Sequence, residues 1–216
     1  MTMKTGTDFN LKDIIGKDAA EQNDFQANLL KNNVEHIRQY ANIPTRYKDA
    51  EFVAKVENQE KLITAIKANF NGKNFSQIRD MLIYGGVGTG KTHLVVAMLN
   101  KIINANIYCR YATEHNLLDL YFQKKYDEFN AFKKVNILVI DEIGKRELVD
   151  WQMIQLEELI SYRYNELLPT IFITNMNETE FKFFVGDRVA SRLRENEVIR
   201  VMMDGQDLRG SYKLWN

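Results

Sequence analysis

The chain of 216 residues contains little cysteine, histidine or proline. Cys109 is its single cysteine, so an internal disulfide cannot form. The three histidines, His36, His93 and His115, are too widely spaced to suggest a cluster of metal ligands. With 2 prolines and 11 glycines, the composition also excludes collagen-like and proline-rich proteins.

Neither sign of charge is in excess, since 29 basic residues balance 29 acidic residues. This balance excludes a protein that coats nucleic acid through overall positive charge, although it permits a local basic groove. No run of apolar residues is long enough for a membrane span, and no apolar segment of signal-peptide type follows the N-terminus. We therefore expect a soluble, cytoplasmic protein, and a hydrophobic content of 45% is ample for a core.

The length predicts one domain with an appendage, and the first 44 residues differ from the rest. Residues 18–40 are polar, with apolar side chains at helical spacing, and Pro44 ends this helical pattern. The narrow apolar stripe would dock either on the main domain or on another protein. We assign residues 1–44 to a helical partner-binding segment and residues 45–216 to the main domain, with these candidate partner contacts: Phe25, Leu29, Val34 and Ile37.

Beyond Tyr47, continuous apolar runs alternate with amphipathic stretches. The predicted strands are Met81–Tyr84, Asn106–Tyr111, Val135–Ile140, Thr170–Thr174 and Val198–Met202. The predicted helices are Lys91–Ile103, Glu114–Phe129, Trp151–Glu166 and Glu178–Arg194. Apolar strands separated by helices are typical of a parallel sheet buried on both faces. The pattern predicts a three-layer α/β domain with a five-stranded parallel sheet.

A phosphate-binding motif follows the first predicted strand and precedes an apolar helix. It has the P-loop pattern G-x-x-x-x-G-K-T, in which backbone N–H groups and the helix N-terminus bind phosphate oxygens. Lys91 would contact the β- and γ-phosphates of ATP, and the Thr92 hydroxyl would bind Mg²⁺. The predicted nucleotide-binding residues are Gly85, Gly86, Val87, Gly88, Thr89, Gly90, Lys91, Thr92 and His93.

Two adjacent carboxylates, Asp141 and Glu142, end the third predicted strand. Paired acids after a buried strand favour a cation site. Asp141 would hold Mg²⁺ and Glu142 would polarise the attacking water. The sequence between the two motifs has room for one strand–helix unit, so we expect an extra strand between the P-loop strand and the acidic strand. This arrangement favours an AAA+ ATPase over a small-molecule kinase.

Four further polar side chains are candidates for the site. Asn175 follows the fourth predicted strand and would contact the γ-phosphate or the attacking water; otherwise it is a turn residue. Arg188 and Arg192 share one helix face, which is either a solvated helix end or a surface that reaches a neighbouring subunit's nucleotide. Arg209 lies in a polar loop near the C-terminus and could act on the γ-phosphate of its own chain.

Together these motifs resemble the DnaC/DnaI family of replicative helicase loaders and the related IstB transposition helper ATPases. The resemblance covers about residues 43–212, and its most discriminating part is Arg188-Val-Ala-Ser-Arg192-Leu-Arg194. It implies ATP/ADP and Mg²⁺ as ligands, Asn175 as sensor 1, Arg192 as arginine finger and Arg209 as sensor 2. The segment around Arg209 departs from the family's usual Ser-Tyr-Arg.

The resemblance also implies partners: a DnaB-type helicase, single-stranded DNA and further copies of the chain in an ATP-dependent oligomer. Interleaved aromatic and basic residues suit stacking on bases and contact with phosphates, although an ordinary amphipathic helix remains the alternative. The candidate DNA contacts are Phe122, Lys124, Lys125, Tyr126, Lys145 and Arg146. Two other functions stay open: an IstB-like transposition helper, and a nucleotide-switched interaction module with little turnover.

Overall fold

The computed structural model describes residues 33–71 and 77–208 of the chain. Its helices are α1 (33–40), α2 (Glu57–Phe70), α3 (Lys91–Asn104), α4 (Glu114–Phe122), α5 (Tyr126–Lys134), α6 (Asp150–Asn165) and α7 (Glu178–Glu195). Its strands are β1 (Met81–Tyr84), β2 (Cys109–Thr113), β3 (Ile137–Ile143), β4 (Thr170–Thr174) and β5 (Ile199–Met202). A short 3₁₀ turn covers Thr45–Tyr47. No helix among these combines the length and the apolarity that a membrane span requires.

The described strands form one parallel five-stranded sheet in the order β2-β3-β4-β1-β5. An extra strand does separate the P-loop strand β1 from the acidic strand β3, as expected, but it is β4; the strand of the unit between the two motifs, β2, lies at the edge of the sheet. All five carboxyl ends therefore meet at one edge of the sheet. At that edge the P-loop after β1 lies next to the end of β4, and β4 lies next to the acidic end of β3.

Alternate strand residues point to opposite faces of the sheet and build two hydrophobic cores. Helices α1, α2 and α3 cover the first face, where Ile83 and Val139 are buried. Helices α4 to α7 cover the second face, where Leu82 and Leu138 are buried. The predicted three-layer α/β architecture is confirmed.

The helices of the structure differ from the prediction in three places. Glu114–Phe129 was expected as one helix, but α4 ends at Phe122 because Lys124 has a positive φ of 60° and the Lys125 N–H returns to the Leu120 carbonyl at 2.9 Å. Helix α7 is interrupted at Gly186, where φ is 79°. The third difference is α2, a helix that the sequence prediction omitted.

The last part of the segment that we assigned to partner binding, residues 33–44, packs on the main domain. Ile37 on α1 is 0% exposed and lies in the first core, and Val34 packs against the same core. Arg38 donates hydrogen bonds to Asn104 at 2.9 Å and Asn100 at 3.3 Å on α3. The assignment of Ile37 as a partner contact is therefore corrected: its apolar side chain completes the domain core. Phe25 and Leu29 lie outside the described residues.

Buried polar groups connect the strands at their amino ends, at the edge of the sheet opposite the P-loop. Arg163 on α6 is 1% exposed and donates to the carbonyls of Val135 at 2.8 Å and Pro169 at 2.7 Å, just before β3 and β4. Burial lowers the pKa of Arg163 to about 9, and nearby Asp80 partly offsets this effect. Asp80 in turn accepts the Thr170 N–H at 2.6 Å. This network fixes the stagger of β1, β3 and β4, and so the positions of their functional ends.

Candidate nucleotide site

The P-loop between β1 and α3 has a backbone that requires glycine. Gly85 has a φ of 119°, and a Cβ there would lie 2.5 Å from the Met203 carbonyl oxygen. Gly90 is the N-cap of α3 and has a φ of 92°, and a Cβ there would strike the amide of Gln59. L side chains rarely adopt such φ values, so the loop shape depends on glycine.

Lys91 joins the P-loop to the end of β4. It is 6% exposed, and its Nζ donates to the carbonyls of Gly85 at 2.8 Å and Gly86 at 2.6 Å. The same ammonium donates to the Asn175 Oδ1 at 2.9 Å. Lys91 is thus held inside the curve of the loop with its charge facing the place where P-loop proteins bind phosphate.

Asp141 collects three hydrogen bonds at the end of β3. Its Oδ2 accepts from the Thr92 hydroxyl and from the Tyr111 hydroxyl, each at 2.7 Å, and its Oδ1 accepts from the Glu142 N–H at 2.7 Å. Burial raises the pKa of Asp141, and these hydrogen bonds oppose the rise. A hydroxyl and a carboxylate in contact are oxygen ligands of the kind that Mg²⁺ takes in nucleotide sites, so the residues fit this ion.

Glu142 follows Asp141 in β3, but its backbone departs from the extended conformation of the strand. Its φ of 56° lies in the left-handed region, and its side chain is 47% exposed. One carboxylate oxygen accepts a hydrogen bond from the Lys145 Nζ at 2.8 Å. Because Glu142 is accessible and Asp141 is buried, the two adjacent acids are suited to different roles.

A cavity of about 720 Å³ contains these groups and defines the nucleotide cavity. Its lining includes the P-loop residues Val87–Thr92, His93, Asp141, Glu142 and Asn175. Another wall comes from the segment before α2, with Arg46, Tyr47, Val53 and Lys55. The Tyr47 and His93 rings meet edge to face, with centroids 6.4 Å apart. The structure thus brings together the motif residues that the sequence predicted for ATP and Mg²⁺.

The two predicted arginines of α7 lie elsewhere. Arg192 donates to the Ser161 hydroxyl, and its guanidinium carbon is 5.8 Å from the centre of the Tyr164 ring, so it faces α6. Arg188 forms an ion pair at 2.8 Å with Glu157, which lies on α6. Neither arginine lines the nucleotide cavity. Arg209 lies outside the described residues.

Two predicted DNA contacts, Phe122 and Tyr126, belong to an aromatic ladder that also contains Tyr121 and Trp151. Phe122 and Tyr126 are exposed, whereas Tyr121 and Trp151 are half-buried. The Trp151 ring stacks on both Tyr121 and Phe122, with centroids 6.1 Å apart in each pair. Phe122 is 71% exposed, and exposed Lys124 and Lys125 follow in the turn between the two helices.

The other two predicted DNA contacts, Lys145 and Arg146, line a second cavity of about 240 Å³. The remaining wall of the second cavity consists of Thr113, Glu114, His115, Asn116 and Glu142. Glu142 and Lys145 border both cavities. Glu114 is buried and accepts the Gly144 N–H at 2.9 Å, and burial raises the pKa of Glu114 to about 7.

Sequence reasoning missed three residues that support the site. Tyr111 reaches Asp141 from the neighbouring strand β2. Gln59 on α2 accepts the Lys55 N–H at 2.8 Å and donates to the Thr89 carbonyl at 3.2 Å, and so braces the P-loop. Trp151 completes the aromatic ladder from α6. The apolar spacing of Leu62, Ile66 and Phe70 would have revealed α2, but nothing local marks the contacts of the other two.

The strand order and these motifs define a P-loop NTPase of the AAA+ type. The chain belongs to the IstB-like ATP binding protein family, whose model matches residues 27–193.

Individual relatives agree with this assignment. The replicative helicase loader DnaC of Escherichia coli K12 is 25% identical over 163 residues, which are 72% of this chain and 66% of DnaC. The chromosomal replication initiator protein DnaA of Geotalea uraniireducens is 36% identical over 110 residues, which are 48% of this chain and 24% of DnaA. The matched part of the chain thus spans between about a quarter and two thirds of the length of these relatives.

Solved structures show the same fold. The crystal structure of the DnaC helicase loader aligns with a TM-score of 0.67 and 23% identity, covering 74% of this chain and all of that one. The DnaI structure aligns with a TM-score of 0.67 and 20% identity, covering 78% of this chain and 95% of that one. The chain therefore has the fold of the DnaC and DnaI structures.

Proposed function

We propose that this protein is an ATPase that loads a ring-shaped replicative helicase onto single-stranded DNA, with ATP occupancy as the switch. The ATPase activity is proposed from one observation: functional side chains at the ends of β1, β3 and β4 are in contact. Lys91 contacts Asn175, and Thr92 contacts Asp141. Accessible Glu142 stands beside them. The loading role draws its support from the similarity to DnaC, whose name describes a replicative helicase loader.

ATP would enter with its phosphates in the P-loop. Lys91 would exchange the carbonyls of Gly85 and Gly86 for phosphate oxygens, which form stronger, charge-assisted hydrogen bonds. Thr92 and Asp141 would hold Mg²⁺, which neutralises charge on the phosphates when bound. The wall formed by Tyr47 and Val53 offers apolar surface to the base.

Hydrolysis would depend on Glu142 and Asn175. Glu142 would polarise a water molecule for attack on the γ-phosphate, because its carboxylate is accessible from the nucleotide cavity. Asn175 would orient the γ-phosphate or this water through its side-chain amide. Since Glu142 is held by Lys145, we expect a low basal rate that partners increase.

Arg192 would complete the site of a neighbouring copy of the chain. It lies on the α6–α7 surface and does not line the cavity of its own chain, so any role as an arginine finger requires action in trans. Such a role makes hydrolysis dependent on an ATP-bound oligomer. The contact with Ser161 would then be exchanged for a phosphate oxygen across the interface.

Single-stranded DNA would lie along the aromatic ladder. Stacked rings accept unpaired bases of any sequence, and flanking lysines neutralise the backbone. Phe122 and Tyr126 are exposed at 71% and 46%, and Lys124 and Lys125 flank them. The helicase contact is assigned to the residues before α1, including Phe25 and Leu29, because Ile37 already packs in the core.

A transposition helper is the second candidate, since the matching family model bears the IstB name. Copurification distinguishes the two. With ATP present, the full chain should retain the host's replicative helicase, and Lys91→Ala should retain much less. Leu29→Asp should lose the helicase while it still binds ATP. Retention of a transposase, with no helicase retained under any nucleotide condition, would establish the helper function instead.

A further inference from the structure

After β5 the chain lies along the P-loop, and this segment, residues 203–208, is called the strap. Its first residue, Met203, is fully buried. The Met203 N–H donates to the Tyr84 carbonyl at 2.7 Å, and the Met203 carbonyl accepts the Gly86 N–H at 3.1 Å. These two hydrogen bonds continue the pairing of β1 with β5 into the P-loop. The beginning of the strap is thus held by the sheet.

The far end of the strap places a carboxylate on the P-loop. The Leu208 N–H donates to the Gly88 carbonyl at 3.0 Å, and both residues line the nucleotide cavity. The carboxylate of Asp207 lies against the α-carbon of Gly88, where a Cβ would collide with it. In P-loop proteins, the backbone N–H groups of this loop bind phosphate. An acidic side chain of the chain itself therefore lies beside the predicted phosphate site.

Asp207 and the phosphates of a nucleotide carry charge of the same sign. Both are attracted by the N–H groups of the loop and by the N-terminus of α3, and they repel each other at short range. Asp207 is exposed, so water weakens this repulsion without removing it. The repulsion is larger for ATP than for ADP, because ATP carries more phosphate charge. Mg²⁺ reduces the repulsion, because it neutralises part of that charge.

The two ends of the strap differ in how firmly they are held. Met203 is buried and hydrogen-bonded to the end of β1, whereas residues 204–208 are all exposed. An exposed segment separates from its neighbours at a lower free-energy cost than a buried one. Repulsion between Asp207 and bound phosphates is therefore able to move residues 206–208 away from Gly88 while Met203 stays in place.

We propose that Asp207 is a specificity-determining residue of the nucleotide site. Its charge lowers the affinity for nucleotides in the order of their phosphate charge, and the bound phosphates displace residues 206–208 from Gly88. The strap thereby changes its position with the occupancy of the site. The inference rests on the proposed function and adds to it a segment of the chain that responds to ATP.

The first test titrates the full chain with fluorescent analogues of ATP and ADP, with Mg²⁺ and with a chelator. Asp207→Asn removes the charge at nearly constant shape and should tighten ATP binding about two- to fivefold, the size expected for an exposed charge. The gain should be smaller for ADP and larger for both nucleotides without Mg²⁺. Asp207→Glu keeps the charge and should retain the weaker binding. Asp204→Asn, at another exposed acid of the strap, is the matched control and should bind as the wild type.

The second test follows the strap itself with a fluorophore attached through Gln206→Cys, at an exposed position. The native Cys109 stays unlabelled, because it is buried and burial raises the pKa of its thiol to about 12. ATP should change the fluorescence of this probe, and should change it much less when Asp207→Asn is added. A probe attached through Lys182→Cys, on α7, is the control and should not respond.

The outcomes separate the inference from the proposed function. ATP affinity that is unchanged or lowered in Asp207→Asn would overturn the inference, since a carboxylate that helps to bind the nucleotide has the opposite effect. Equal gains for ATP and ADP, or a strap probe that does not respond to ATP, would overturn it as well. A wild-type chain that binds neither nucleotide would instead overturn the proposed function.

Discussion

The buried carboxyl group of Glu114, in the wall of the second cavity, makes the stability of the protein depend on pH, and this dependence can be measured without a ligand. Glu114 is 3% exposed, and burial raises the pKa of its carboxyl group from 4.5 to about 7. A raised folded-state pKa means that the native protein binds the proton more tightly than the unfolded chain. Stability from this group is therefore present at low pH and is lost as pH rises from about 4.5 through about 7.

The magnitude follows from the linkage relation. At 1.36 kcal/mol per pH unit, the interval between the two pKa values corresponds to about 3 kcal/mol of stability lost above pH 7. Glu114→Gln removes the titration but keeps an oxygen for the Gly144 N–H. Its buried amide N–H groups must find new partners, at a cost of about 1 kcal/mol. We expect the variant to be about 1–2 kcal/mol more stable than wild type at pH 8 and no more stable at pH 5.

Urea unfolding at pH 5, 6, 7 and 8 measures this difference. Comparing the two proteins at each pH cancels the contributions of all the groups that they share. Glu147→Gln, at an exposed position, is the matched control and should show a constant difference. A Glu114→Gln difference that does not change with pH would refute the reasoning.

Three further predictions test other parts of the account. Ile37→Ala should lower the free energy of unfolding by about 2–4 kcal/mol in a denaturation experiment, because this side chain is fully buried. A loss of less than about 0.5 kcal/mol would mean that Ile37 does not contribute to the domain core. Arg192→Ala should bind ATP normally but hydrolyse it poorly, and mixing it with Lys91→Ala should restore part of the rate; no recovery on mixing would refute action in trans. Trp151→Ala and Phe122→Ala should each weaken binding of oligothymidylate by about 1–3 kcal/mol in a fluorescence titration, and unchanged affinity would leave the ladder without a DNA role.

Features of the fold and of the site that depend on short stretches of sequence could be predicted. The bounds of β1 and β4 agree with the prediction, because each is a short apolar run ended by a polar motif. The P-loop, Asp141 and Asn175 converge as expected, since they follow parallel strands whose carboxyl ends share one edge.

Features that depend on tertiary packing were not predictable in the same way. The apolar stripe of residues 18–40 was compatible with docking on the domain or on a partner, and only packing against the first core decides this for Ile37. The break between α4 and α5 depends on the left-handed backbone of Lys124, which no glycine or proline marks. The contact of Lys145 with Glu142 likewise depends on an unusual φ at Glu142.

Comparing ATP binding and single-turnover hydrolysis in Glu142→Gln tests the central claim most directly. Because the P-loop, Lys91 and Asp141 are intact in this variant, its ATP affinity should stay within about threefold of wild type, while hydrolysis should fall by about 100-fold or more. Lys91→Ala, measured alongside, should lose binding itself. Hydrolysis at the wild-type rate by Glu142→Gln would contradict the account.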